Sequence, residues 1–248
     1  MKISVITICL NSEKTIEKTI KSVLEQKYEN IEYIVIDGGS SDKTLNILHK
    51  YRSKISKVTS EKDKGIYDAI NKGIKLSTGE IVSVLHSDDY YYNSDVLNDV
   101  VSFFSKEKEI DCLIGTTIMI RNNKILRKYS PKNFKKWMMY LGISPPHPSS
   151  FFKRKVYDIC GLYNINYKIA GDFDFFLRTL FKKNIYFKKI GFPFVIMQYG
   201  GKSTQSLKNN LISSKEILRS FKENNLYNTS LLIYLRFPIK LMQFIFKK

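Results

Sequence analysis

The stretch IVSVLHSDDYYY, Ile81 to Tyr92, places two adjacent carboxylates, Asp88 and Asp89, at the end of an apolar run. Like charges side by side repel, and each is costly to desolvate, so the pair points to a counter-ion supplied from outside. Hard carboxylate oxygens beside a diphosphate suit Mg²⁺ or Mn²⁺, and a cation held there serves as a Lewis acid on a phosphate leaving group. The plain alternative is a solvated turn, where Asp is common. His86 reads either as a third metal contact or as a hydrogen-bonded residue at a strand end. Tyr90, Tyr91 and Tyr92 suit a part-buried loop as well as a sugar-stacking surface.

The elements that position this pair follow from hydrophobic spacing. Ile3 to Cys9 is a β-rich run, and after the candidate N-cap Ser12 the residues Ile16, Ile20, Val23 and Leu24 recur at helical spacing. IEYIVID is a second short apolar run, and SSDKTLNILHKYRSK a capped helix. A strand near Val58, a helix from about Gly65 to Leu76 and a strand from Ile81 repeat the alternation. This order predicts a parallel sheet with helices on both faces. Ligands of such sheets bind outside the carboxyl ends of the strands, which is where DGGS, SEKD and HSDD all fall. Chance would scatter acidic loops over both ends.

The second half is less regular. Residues 111 to 129 predict a hairpin turning at Asn122 and Asn123. ISPPHPSSFFKRKVYDICGLY passes from a proline-rich loop into a strand and a short helix. AGDFDFFLRTLFKK is helical, with Phe173, Phe176, Leu177 and Leu180 on its apolar face. A strand from Tyr186 to Met197, the glycine turn YGGKSTQS and two helices follow.

The formal net charge of +18 points toward polyanions, an anionic membrane surface or a phosphate-bearing substrate, and part of it is a lysine-rich compositional habit. Cys9, Cys112 and Cys160 match no metal or redox spacing and read as small buried residues in a reducing compartment. MKISVITICL lacks a small-residue cleavage site and reads as a first strand rather than a signal peptide. No apolar stretch reaches the roughly 18 residues of a membrane span, so the expected location is cytoplasmic, peripheral to the inner face of the membrane. The last segment, SLLIYLRFPIKLMQFIFKK, interleaves apolar residues with Arg236, Lys240, Lys247 and Lys248; it suits an anionic bilayer interface or a helix packed on the domain.

ISVITICLN, VIDGGSSDKT, EKDKGIYDAINKGI, STGEIVSVLHSDD and AGDFDFFLR stand in the order and approximate spacing of the family 2 inverting glycosyltransferases. Over residues 2 to 205 the chain resembles the bacterial branch of that family that builds capsular, exopolysaccharide or lipopolysaccharide repeat units. The resemblance implies a GT-A (Rossmann-like) α/β fold, a mostly parallel sheet flanked by helices with a C-terminal helical appendage. It implies a domain over 1–205, with a nucleotide-sugar half at 1–110 and an acceptor half at 111–205, followed by C-terminal helices at 206–248.

By the same resemblance, Asp88 and Asp89 hold Mn²⁺ or Mg²⁺, with Asp88 also reaching the diphosphate or ribose. Asn11, Asp37, Gly38, Ser40, Lys64, Asp68 and Lys202 belong to the nucleotide-sugar site, Lys202 on a mobile loop that closes over it. Asp172 is the general base, its alternative being an N-cap to the helix that follows. Asp174 and His147 lie on the acceptor side, His147 having a plain loop role as its rival. The partners implied are a nucleotide-sugar donor and a glycan or lipid-linked glycan acceptor, with no nucleic acid.

Two departures stand out. Gly38 occupies the place where family members commonly carry a second Asp that reads the nucleobase, and Ile70 stands where many carry an arginine. Lys64, near a helix N-terminus that itself favours phosphate, is a candidate compensation. A nucleotidyltransferase would want a glycine- and lysine-rich signature after the first strand, and ICLNSEKTI supplies none. A basic nucleic-acid- or membrane-binding module without catalysis is the other competing class.

Overall fold

The structure is a computed structural model that describes residues 1–182, 185–200 and 207–234. Strands β1 (Ile3–Cys9), β2 (Ile31–Asp37), β3 (Lys57–Ser60) and β4 (Ile81–His86) are parallel, in the order β3-β2-β1-β4. Register pairs Cys9 with Asp37 and Ile8 with His86, so three carboxyl ends finish at one level. Side chains alternate across β1: Ile6 and Ile8 enter one core, Ile3, Val5 and Cys9 the other. Helices α1 (Ile16–Leu24) and α4 (Val96–Lys106) cover the second core; α3 (Ile66–Leu76) covers the first. The short α2 (Thr44–Lys50) adds Leu48 to the second.

Beyond β4 the sheet becomes mixed. β8 (Ser150–Lys153) pairs antiparallel with both β4 and β6 (Cys112–Arg121), and β9 (Phe187–Gln198) runs parallel to β6. Residues Asp89–Tyr91, read from sequence as loop, form β5, antiparallel to β9. β7 (Lys124–Tyr129) makes the expected hairpin with β6, with Asn122 and Asn123 at φ 50° and 59°, as a tight two-residue turn requires. Helix α4 fills a span that the sequence reading leaves unassigned.

Ser12 does not cap α1 with its side chain. Its carbonyl accepts the Ile16 N–H, while its hydroxyl pairs with Ser87 at 2.8 Å, because the loop after β4 competes for it. The short α5 (Lys155–Cys160) precedes α6 (Gly171–Leu177), which runs on into a π-helical turn at Arg178–Lys182. Phe175 is as buried as the expected apolar face, so α6 is covered all round. Part of that cover is α7 (Leu207–Glu223), whose Ile217 and Phe221 join the first core together with Ile233 of α8 (Ser230–Tyr234).

At the opposite end of the strands, buried Glu32 ties β2 to its neighbours. It accepts from Ser4 Oγ and Thr78 N at 2.6 Å each, from Thr78 Oγ1 at 2.9 Å and from Lys57 Nζ at 3.1 Å. Burial alone would raise its pKa; the bonds from Ser4 and Thr78 overcome that and hold it at about 2. A carboxyl depressed on folding contributes stability above its ordinary value near 4.5, and that stability is lost as pH falls from there through about 2. Glu32→Gln should therefore cost about 2 kcal/mol at pH 7, with the deficit shrinking at pH 3. Urea unfolding at the two pH values checks this; an unchanged deficit would show that the charge is not its source.

Candidate active site

The loops after β1 and β2 are laced together. Asn11, at φ 50°, donates its N–H to Ser40 Oγ at 2.8 Å and accepts from Ser41 N at 2.9 Å through its side chain. Asp37 is fully buried and accepts from Gly39 N (3.1 Å), Ser40 N (3.0 Å), Ser60 Oγ (2.6 Å) and Ser40 Oγ (2.5 Å). Burial pushes its pKa up, yet the bonds from Ser40 and Ser60 leave it below the ordinary carboxylate value. Both oxygens are committed, so this carboxylate shapes the DGGS turn. A side chain at Gly38 would meet Asp63 Oδ2 at 2.7 Å, and Gly39 takes φ 85°, which favours glycine. The SEKD loop thus lies directly over DGGS, while Ser12 and Ser87 join the HSDD loop to the same edge.

Helix α3 secures that edge through a lysine that the sequence reading passes over. Lys72 Nζ lies 2.7 Å from Asp63, 2.8 Å from Glu61 and 3.5 Å from Asp68, and the bonds it donates to Asp63 and Glu61 push its pKa up. The i,i+4 spacing of Asp68 and Lys72 is the signal that could have found it. Asp68 also accepts from Lys64 N at 3.0 Å, which fixes the helix entry, while the Lys64 side chain is exposed. Ile70 is buried in the core, on the side of α3 away from these charges.

Asp88 is half-buried at the carboxyl end of β4, and Asp89 is 2% exposed. Asp89 Oδ1 has no hydrogen-bond partner; burial first, and Asp88 second, hold its carboxyl well above the usual range. A buried, unpartnered carboxylate oxygen beside a second carboxylate fits a hard cation. Among the described residues no third acidic, His or Cys side chain completes a metal cluster with them. Of the tyrosines, Tyr91 is buried, Tyr90 lies under the Lys18 ammonium and Tyr92 is exposed.

From the end of β4 a row of rings leads into the second half of the chain. His86 lies 6.2 Å from His147, whose Nε2 is 2.7 Å from the Tyr163 hydroxyl. Burial, and then His86, push the His147 pKa down to about 3, so the ring is a neutral part of the wall. Tyr163 stacks on Tyr67 at 6.0 Å, and Asn71 brackets the Tyr163 backbone with bonds of 2.7 and 2.9 Å. Tyr67 in turn donates to the Ile169 carbonyl at 2.7 Å.

That carbonyl lies just ahead of Asp172, in the first turn of α6. Asp172 is half-buried and accepts the Phe173 N–H at 2.8 Å; the helix N-cap is Ala170. Burial raises the Asp172 pKa to about 6 against the pull of the Phe173 N–H. Asp174, expected on the acceptor side, is tied into the fold. Its carboxylate is 2.9 Å from Arg178 Nε and accepts from Ser220 Oγ at 2.8 Å and Asn224 at 3.0 Å, so α7 consumes it. Sequence reasoning missed Glu216 of α7, which accepts from Lys168 N, Ile169 N and Ala170 N at 2.7, 2.9 and 2.8 Å. A carboxylate that binds distant backbone leaves no local signature. Lys202, and the C-terminal segment from Leu235 on, lie outside the described residues.

Comparison with known proteins shows the family. The family described as "Glycosyl transferase family 2" matches residues 4–161. A "PGL/p-HBAD biosynthesis glycosyltransferase" of Mycobacterium bovis is 29% identical over 178 residues, covering 71% of this chain and 68% of the relative. WfaP of Escherichia coli, a "UDP-Glc:alpha-D-GlcNAc-diphosphoundecaprenol beta-1,3-glucosyltransferase", is 35% identical over 107 residues, 43% of this chain and 42% of WfaP. The crystal structure of S. aureus TarS 1-349 in complex with UDP-GlcNAc superposes with a TM-score of 0.72 at 22% identity, covering 89% of this chain and 66% of that one, just under two thirds. The mannosyltransferase PcManGT from Pyrobaculum calidifontis, in complex with GDP-Man and Mn²⁺, gives 0.64 at 17% identity over 90% of this chain and 64% of that one. The chain has the GT-A fold, is an enzyme that transfers sugar, and belongs to glycosyltransferase family 2.

Proposed function

We propose that the chain is a metal-dependent inverting glycosyltransferase that moves a sugar from a nucleotide-sugar donor to a hydroxyl of a lipid-linked saccharide in surface-polysaccharide synthesis. The observation that carries this reading is Asp172. A carboxyl with a pKa near 6 is ionised at neutral pH yet basic enough to take a proton from an acceptor hydroxyl. The hydroxyl oxygen then attacks the anomeric carbon from the face opposite the departing diphosphate, which inverts the centre. Asp88 and Asp89 would hold Mn²⁺ or Mg²⁺, which supplies positive charge against the leaving diphosphate.

The DGGS turn, shaped by Asn11, Asp37 and Ser40 with Gly38 closely overlaid, forms the nucleoside end of the donor site. Asp68 keeps the Lys64 backbone in place beside it. His147 and its ring neighbours wall the acceptor side, and Lys202 is assigned to the donor by the resemblance alone. The names of WfaP and of the TarS complex support a uridine donor, and that of WfaP supports a lipid-linked acceptor. A lipid-linked acceptor fits peripheral contact with an anionic membrane at the inner face. Trp137, Tyr227 and Leu231 are 54%, 84% and 70% exposed on a strongly basic chain, and no described helix is long and apolar enough to cross a membrane.

Asp172→Asn should lower transfer by roughly 10²- to 10⁴-fold while leaving donor binding intact, and wild-type kcat/KM should rise with pH through about 6 as Asp172 ionises. Near wild-type transfer by the variant would remove the base assignment. In a thermal-shift series with UDP-glucose and UDP-GlcNAc, stabilisation should require Mn²⁺ and vanish in Asp89→Asn. Without ligand, that variant should melt no lower than wild type, because it replaces a buried carboxyl that is costly to ionise there and whose Oδ1 has no partner. Equal donor shifts with and without metal would overturn the metal reading.

A further inference from the structure

The segment 168–172 is gripped from two sides. From α3, Tyr67 donates to the Ile169 carbonyl at 2.7 Å, and its ring lies so close that a side chain at Gly171 would meet it at 2.7 Å. From α7, the buried carboxylate of Glu216 takes the N–H groups of Lys168, Ile169 and Ala170. Three consecutive donors on one carboxylate leave that backbone little freedom. The same helix holds Asp174 through Ser220 and Asn224, and Glu223 accepts from Tyr167 at 2.7 Å. Thus α7, outside the family match at 4–161, is bonded to both flanks of Asp172.

We propose that Glu216 is a positioning residue for sugar transfer, holding the 168–170 backbone so that Asp172, at the head of α6, faces the donor edge. The inference rests on the reading of Asp172 as general base. It makes α7 part of the catalytic unit.

Charge offers a readout that a purely structural role would not move. Among the described residues, the titratable groups facing Asp172 are Tyr67 from α3, Tyr163 from the loop ahead of α6 and Glu216 from α7. Burial raises both phenols, so they are neutral near pH 6, and among these groups Glu216 alone brings negative charge. Removing it favours the ionised form of Asp172 and lowers its titration midpoint.

The test is a ¹³C NMR titration of the Asp172 carboxyl, assigned by its loss in Asp172→Asn, with amide exchange at 168–170 and release of UDP from UDP-glucose measured on the full chain. In Glu216→Gln the midpoint should fall by about half a pH unit or more, exchange at 168–170 should quicken, and UDP release should drop about tenfold or more. Glu216→Asp keeps the charge but not the reach, so exchange should quicken while the midpoint stays near wild type. A wild-type midpoint and wild-type exchange in Glu216→Gln would overturn the proposal. If that variant does not fold, wild-type exchange and turnover in Glu216→Asp would overturn it instead. Failure of the base reading shows separately, as wild-type UDP release by Asp172→Asn.

Discussion

The site depends on how closely α3 can approach the sheet. Gly73 lies against Ile6 of β1 with no room for a methyl group between them. That contact sets the height of the helix, and its other faces inherit their tasks from it. Ala69, Ile70 and Ile74 are buried with Ile6, Ile34 and Ile36. One helical turn apart, Asp68 and Lys72 face the SEKD loop, while Tyr67 and Asn71 face Tyr163 and Ile169. A single helix therefore fixes the distance between the SEKD and DGGS loops and the segment bearing Asp172. A larger residue at position 73 would lift both together.

Charge is handled in two ways around this frame. Asp37, Glu32 and Asp174 are each buried and each surrounded by donors, so they act as rigid fasteners. Asp89 and Asp172 are under-served: the first has an oxygen with no partner, and the second has a backbone N–H from its own turn. The contrast separates carboxylates that hold the fold from those with capacity left for a ligand or a proton. Burial pushes Glu32, Asp37, Asp89 and Asp172 in the same direction, and the number of donors decides the outcome.

Much of this was legible before any coordinates. The period-2 and period-3.6 patterns of the first ninety or so residues specify β1 to β4 and α3, because each is buried by neighbours close in sequence. The meeting of DGGS, SEKD and HSDD at one edge follows from the carboxyl-end rule for parallel strands. What was not legible depends on distant partners. Residues Asp89–Tyr91 are a strand only because β9 supplies the other side, and Glu216 finds its donors 46 to 48 positions away. Asp172 and Asp174 had to diverge by two helical steps, about 200°; only the docking of α7 shows which of them is used up.

The pairing of β5 with β9 also bears on how the chain is made. Asp89, Tyr90 and Tyr91 register with Met197, Ile196 and Val195, more than a hundred residues later. The strand on which Asp89 lies thus gains its partner only after synthesis has passed Met197. A nascent chain can close its first four parallel strands early, but the acidic pair waits on one of the longest-range pairings in the fold, the slow kind in topology-limited folding. On the proposed reading of the acidic pair, competence to grip a donor then arrives late and all at once, leaving half-made chains unable to sequester nucleotide sugar.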